Sequence, residues 1–142
     1  MVKTNFSKQG KRNRAAGRRF ELKVRDDLEK KGWIIAKWTN NIDLEERKLV
    51  KVKNLFRGKN IPMMLGAGFP DFIGIKANKE KTKEVIGIEV KTKGYLDKEE
   101  KEKCRIYLEK GVFSQILIAR VNKEKNRINI EYENFAEKYG NN

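Results

Sequence analysis

Apolar positions recur every four residues in one early segment. In several later segments they form short continuous runs or alternate with polar positions. Phe20, Val24 and Leu28 form one stripe within residues 15–31, which predicts an amphipathic helix that Gly32 ends. Runs of the second kind predict strands. These strands are expected at residues 33–38, 68–76, 84–93, 112–121 and 127–132.

A second helix is predicted from Asp97 to about residue 110. Asp97 is placed to cap it, and Glu100, three residues on, would complete a capping box. A short helical turn is predicted at residues 134–139. Residues 40–66 follow no clear period beyond a possible strand at 48–52, and a segment of this length in a small domain is often a functional loop.

The order of these elements is α-β-β-β-α-β-β, which predicts the α/β class with a mixed central β-sheet flanked by helices. The strands at residues 68–76 and 84–93 would pair as a hairpin through a turn near 78–82. The chain has no Pro- or Ser-rich linker. We therefore interpret residues 15–142 as one domain and residues 1–14 as a basic flexible arm.

Charge points to a polyanionic partner. The chain has 142 residues and a net charge of +14, from 34 Lys and Arg against 20 Asp and Glu. More than half of this charge lies in residues 1–25, where Glu21 is the one acid. Such density predicts contact with nucleic-acid phosphates, although a solvated leader or a ribosome-like basic surface has the same composition. The candidate phosphate-binding residues here are Lys8, Lys11, Arg12, Arg14, Arg18 and Arg19.

Missing residue types exclude several chemistries. The absence of histidine excludes a histidine base or metal ligand, and the single cysteine, Cys104, excludes an internal disulfide and a cysteine-rich zinc site. No apolar run approaches the roughly 20 residues of a membrane helix, and the amino terminus lacks a signal peptide. We expect an intracellular, cytoplasmic protein with no membrane partner.

Candidate chemistry centres on Asp71, Glu89 and Lys91. Glu89 and Lys91 are two apart on a predicted strand, so their side chains leave the same face. The predicted hairpin would bring Asp71 beside Glu89. Two carboxylates about 4 Å apart repel by roughly 1–4 kcal/mol, and a divalent cation removes that conflict. Hard oxygen ligands favour Mg²⁺ or Mn²⁺, and Lys91 would hold a water or neutralise charge on a phosphate.

The same residues have an ordinary structural interpretation. Acid–lysine pairs two residues apart are common on exposed strand faces, and Pro-Asp is a common turn. The flanking residues Ile86, Ile88 and Val90, however, predict a buried strand, where an unpaired Glu would be costly. This context favours a functional role.

Two segments then resemble a known family. Residues 68–73 (Gly-Phe-Pro-Asp-Phe-Ile) and 87–93 (Gly-Ile-Glu-Val-Lys-Thr-Lys) resemble the PD-(D/E)XK nuclease superfamily, with a restriction-endonuclease-like core. The likeness covers about residues 15–121. The first helix, with Gly17-Arg18-Arg19-Phe20-Glu21, is most similar to archaeal Holliday junction resolvases and related viral nucleases.

The resemblance implies a role for each matched position. Asp71 and Glu89 would ligate Mg²⁺ or Mn²⁺ with the Val90 carbonyl, and Lys91 would position or activate the attacking water. Glu21 would approach the metal directly or through water, although a salt bridge to Arg18 or Arg25 is an alternative. Lys93 would touch a phosphate or remain a solvated lysine. Many members carry a Gln on the following helix, which this chain lacks, so Lys101 is a candidate for that role.

These inferences predict a Mg²⁺- or Mn²⁺-dependent DNA endonuclease, acting on branched DNA such as a Holliday junction, on a flap or on ordinary duplex. A homodimer is expected if junctions are cut, because paired incisions need two sites. The rival hypothesis is a non-catalytic nucleic-acid-binding module on the same scaffold. A third hypothesis is a basic RNA-associated protein.

Overall fold

A computed structural model of the protein describes residues 2–51, 54–57, 61–64, 68–124 and 126–140. Helices and strands both form in these ranges. The helices are α1 (Val2–Lys30), α2 (Lys98–Glu109) and α3 (Phe135–Tyr139). The strands are β1 (Ile34–Lys37), β2 (Asn40–Asp43), β3 (Lys48–Lys51), β4 (Asn54–Arg57), β5 (Ile61–Met64), β6 (Phe72–Ala77), β7 (Lys83–Val90), β8 (Gln115–Glu124) and β9 (Arg127–Asn134).

A five-stranded sheet forms the centre, with strand order β1-β6-β7-β8-β9. The pair β7–β8 is parallel and the other three pairs are antiparallel, so the sheet is mixed. A turn closed by Asn78 N donating to Thr82 O at 2.9 Å joins β6 to β7. Along the chain, the strands of this sheet and the helices α1 and α2 follow the order α1-β1-β6-β7-α2-β8-β9. This confirms the predicted α/β class, the mixed sheet and the hairpin.

Opposite faces of the sheet bury separate apolar clusters. The stripe Phe20, Val24 and Leu28 of α1 packs with Ile86 and Ile88 of β7 in one cluster. The other cluster joins α2 to the loop and strand that follow it. Its members include Cys104, Tyr107, Phe113, Ile116, Ile118 and Phe135. Because neighbouring strand residues point to opposite faces, Glu89 and Lys91 lie on the α2 side and not with Ile88.

The start of α1 departs from the sequence-based prediction. The helix begins at Val2 and not near residue 15, so the described part of residues 1–14 is helical. This stretch lacks proline and is rich in Lys and Arg, which are good helix formers. Its dense positive charge favours a flexible arm in the sequence-based prediction, although its helix propensity is high. The flexibility assigned to residues 1–14 stays a prediction.

Residues 40–66 also hold more regular structure than their pattern indicated. Two small hairpins form there, β2–β3 and β4–β5. The possible strand at 48–52 is β3, with Val52 outside the described residues. In the part of the chain that the structure describes, none of the helices has the length and apolar character needed to cross a bilayer.

Candidate active site

The β6–β7 hairpin brings the two predicted acids together. Its register pairs Phe72 with Ile88, so Asp71 and Glu89 face each other one step further on. The Asp71 N–H donates to Glu89 Oε1 at 3.1 Å, and the Val90 N–H donates to Asp71 Oδ2 at 2.8 Å. Each carboxylate is thus held by the backbone of the other strand. This confirms the predicted pairing of the acids.

Glu89 is the one charged side chain in the core of the described residues, and it is 4% exposed. Burial is the largest cause that raises its pKa well above the ordinary value, followed by the negative charge of Asp71. The ammonium of Lys91 opposes this shift without cancelling it. The carboxylate pair is therefore electrostatically uncompensated, and a cation at this position would relieve it.

Lys91 lies between two carboxylates. Its Nζ is 3.7 Å from Glu89 Oε2 and 2.6 Å from Glu100 Oε2. Burial acts to lower the pKa of Lys91, but the hydrogen bond to Glu100 and the charges of Glu89 and Glu100 outweigh it and raise the pKa. The raised pKa favours the ammonium form of Lys91, which donates hydrogen bonds.

Glu100 is a site residue that the sequence interpretation missed, since it was assigned to the cap of α2 alone. That capping role is confirmed: Glu100 Oε1 accepts from the Asp97 N–H at 3.0 Å, and the Glu100 N–H donates to Asp97 Oδ1 at 2.8 Å. The second carboxylate oxygen is what contacts Lys91. Helical spacing carried a signal, because Glu100, Cys104 and Tyr107 share one face of α2.

Lys101 points elsewhere. Its Nζ is 4.4 Å from the centre of the Tyr139 ring, a cation–π contact. Glu100, not Lys101, is the α2 residue in contact with Lys91. A role for Lys101 in place of the family's Gln stays a prediction.

Glu21 lies within the electrostatic field of the acid pair. Burial is the largest cause that raises the pKa of Glu21, the charge of Asp71 adds to it, and Lys37 opposes it. Arg25 pairs with Glu29 at 2.8 Å, and no ion pair of Glu21 forms within the described ranges. In these ranges no three acidic or cysteine side chains converge as metal ligands, so a direct role for Glu21 stays a prediction.

The segment before Asp71 is fixed by close packing. A Cβ on Gly68 would lie 1.9 Å from the Trp38 carbonyl oxygen, so this position requires glycine. The Tyr107 hydroxyl donates to the Phe69 carbonyl at 2.6 Å and accepts from Trp38 Nε1 at 3.0 Å. Burial raises the pKa of Tyr107 to about 12, so the hydroxyl keeps its proton. Helix α2 therefore holds Phe69, two residues before Asp71, and Trp38, which follows β1.

The candidate phosphate-binding residues of α1 lie on its surface. Lys11, Arg12, Arg14 and Arg18 are exposed, as is Arg19. The side chain of Lys8 lies outside the described residues. Strand β7 ends at Val90, earlier than predicted, and Gly94 N donates to Lys91 O at 2.8 Å in a turn that leaves Lys93 exposed.

No family model, curated protein or solved structure matches this chain. The resemblance to the PD-(D/E)XK superfamily thus stays a prediction that depends on the residues and their geometry.

Proposed function

We propose that this protein is a metal-dependent DNA endonuclease of the PD-(D/E)XK type, with a restriction-endonuclease-like core. The observation that carries the proposal is the buried Glu89 carboxylate, which accepts from the Asp71 N–H, with the Asp71 carboxylate held by the Val90 N–H and the Lys91 ammonium beside Glu89. A mixed sheet with helices on both faces supports the same assignment.

The donor set fits a hard divalent cation. Asp71 and Glu89 present carboxylate oxygens, and the pKa of Glu89 is raised by burial and by Asp71, which is the conflict that a bound cation resolves. We assign Asp71, Glu89 and the Val90 carbonyl as the residues that would hold Mg²⁺ or Mn²⁺. When bound, the ion lowers the pKa of a water and stabilises charge on a phosphate oxygen.

The chain's own groups have separate tasks in phosphodiester hydrolysis. As an ammonium, Lys91 orients the attacking water by donating a hydrogen bond and stabilises negative charge that grows on the phosphate. Glu100 holds the Lys91 ammonium at 2.6 Å. The water oxygen bonds to phosphorus and its proton passes to solvent, while the bond to the 3′ oxygen breaks and that oxygen takes up a proton from solvent. The products carry 5′-phosphate and 3′-hydroxyl ends.

The excess positive charge supports DNA as the substrate, because phosphate contacts release counterions. A branched substrate cut by a homodimer belongs to the same proposal. A non-catalytic nucleic-acid-binding module accounts for the charge, but it gives no reason to bury Glu89 next to Asp71.

The test is cleavage of end-labelled four-way junction, flap, duplex and single-stranded DNA with Mg²⁺, Mn²⁺ or EDTA. We expect cutting with either metal and none with EDTA. Asp71→Asn should abolish cutting, because it removes one ligand charge while an oxygen acceptor for the Val90 N–H remains. Binding of DNA in EDTA should persist.

The matched control is Asp43→Asn, the same change at an acid in β2, outside the site. It should cut at the wild-type rate. Cleavage by Asp71→Asn at the rate of the Asp43→Asn protein would refute the proposal, and DNA binding without any cutting by the wild type would favour the non-catalytic module.

A further inference from the structure

A cleft of about 1070 Å³ is lined in part by Thr92 and Lys93, which directly follow Lys91 in the chain. One wall is α1, and the other is formed by the loop after β7 together with β8 and β9. We call it the basic cleft. Its lining includes Arg19, Phe20, Lys23, Thr92, Lys93, Arg120, Val121, Asn122, Lys123 and Ile128.

The basic cleft carries one sign of charge. Five of its lining residues are Lys or Arg, and none of the described residues that line it is acidic. Within the described ranges, Arg19, Lys93 and Lys123 form no ion pair, whereas the last two turns of α1 neutralise their cations internally. A concave surface with unpaired cations attracts a polyanion.

Arg120 adds an unfilled hydrogen-bond capacity to the basic cleft. Its one carboxylate contact is a long one, 3.5 Å from NH1 to Glu133 Oε1, and that same oxygen accepts from Lys138 at 2.9 Å. In the part of the chain that the structure describes, the buried Nε of Arg120 has no hydrogen-bond partner. The guanidinium is thus held in place but incompletely paired.

Backbone hydrogen bonds join the basic cleft to the carboxylate site. The Lys91 N–H donates to the Ala119 carbonyl at 2.9 Å, and the Val121 N–H donates to the Thr92 carbonyl at 3.2 Å. One residue, Thr92, lies between Lys91 and Lys93. Thr92 and Lys93 of the basic cleft thus follow Lys91 directly along the chain.

The lining of the basic cleft distinguishes between DNA forms. The half-exposed Ile128 and the partly buried Val121 lie among the cations. Apolar surface between cations suits exposed bases of one strand, which a duplex keeps stacked inside.

We infer that the basic cleft binds an unpaired DNA strand next to the carboxylate site, so that the substrate is DNA with a single-stranded segment. This rests on the proposed function for the chemistry at Lys91, but the binding itself does not require cutting.

The test is binding of a fluorescent oligodeoxythymidine and of a blunt duplex, measured by anisotropy in EDTA over a range of salt. The cleft variant is Arg19→Gln/Lys93→Gln/Lys123→Gln. We expect about tenfold weaker oligonucleotide binding and a salt slope shallower by about 2, since each lost phosphate contact changes it by about 0.7.

The matched control is Lys79→Gln/Lys83→Gln/Lys110→Gln, which removes the same charge from exposed lysines. Lys83 begins β7, roughly 25 Å from its other end. This control should lose less than about twofold. Equal losses in both triple variants, or a cleft-variant loss that is as large for the blunt duplex, would overturn the inference. Wild-type protein that cuts nothing, combined with a cleft-specific binding loss, would refute the proposed function and support the cleft.

Discussion

The carboxylate site and the basic cleft lie next to each other and solve opposite electrostatic problems. At the carboxylate site, Glu89 is 4% exposed and its negative charge is not balanced by Lys91. At the basic cleft, cations such as Arg19 and Lys123 are exposed and have no acidic partner in the described residues. One region calls for a cation and the other for an anion.

This difference predicts that the carboxylate site governs the rate of cleavage and the basic cleft governs the affinity for DNA. A buried charge is costly, and under the proposed function the groups at the carboxylate site offset that cost by acting on a bound reactant. Exposed cations cost little and gain from counterion release when a polyanion binds. Changes at the carboxylate site should therefore affect turnover, and changes at the basic cleft should affect binding and its salt dependence.

Among the changes that compare the two regions, the largest expected effect is on kcat, and it comes from substituting a lysine of the carboxylate site and not a lysine of the basic cleft. Lys91→Ala should lower kcat about 10²–10³-fold with little loss of DNA binding, because it removes a donor aimed at developing charge. Lys123→Ala should instead weaken binding and leave kcat near the wild-type value. Single-turnover cleavage and anisotropy titrations measure the two quantities. If both variants lose kcat, or both lose DNA affinity, the proposed difference between the two regions is wrong.

A smaller effect is expected from the residue that holds Lys91. Glu100→Gln keeps an oxygen that accepts from the Asp97 N–H, but it removes the charge 2.6 Å from Lys91 Nζ. We expect a 10- to 100-fold loss of kcat with unchanged KM. Acetylation of Lys91 in EDTA, followed by mass spectrometry, should become faster.

Glu99→Gln is the matched control for this change, since it removes the same charge from an exposed neighbour in the first turn of α2. It should leave both readouts unchanged. Equal losses in Glu99→Gln would show that the charge of the helix start, and not the contact with Lys91, is responsible.

The smallest effect is thermodynamic. Burial and Asp71 raise the pKa of Glu89 in the folded protein above its unfolded value. The folded state is therefore stabilised when Glu89 is protonated, and this part of the free energy of unfolding is lost as pH rises through the raised pKa. Glu89→Gln cannot ionise and should gain Tm relative to wild type as pH rises, by about 3 °C for each kcal/mol. Thermal melts in EDTA at about pH 5 and about pH 8 measure this. A gap in Tm that shrinks as pH rises would contradict the assigned burial of charge.

Much of this architecture was predictable from local pattern. The stripe Phe20, Val24 and Leu28 marked the buried face of α1, and the hairpin turn at residues 78–82 set the register that pairs Asp71 with Glu89. The capping box of α2 was also readable, because Asp97 and Glu100 have its spacing. These features depend on residues that are close in sequence or paired by one short turn.

Other features required the packed molecule. The Glu100–Lys91 contact exists because α2 lies across the end of β7, which no local pattern specifies. The basic cleft likewise combines α1 with β8, two elements about 100 residues apart in the chain. Helix α1 begins at Val2 and not near residue 15, because the Lys- and Arg-rich stretch has good helix propensity as well as dense charge.

By itself, the sequence determined the α/β order, the two acids and the excess of positive charge, since periodicity and composition act locally or along the whole chain. The tertiary structure alone decided which charges are buried, which are paired and which share a concave surface. Those outcomes depend on the distances between elements brought together by packing, and the free energy of a charge depends on its surroundings more than on its identity.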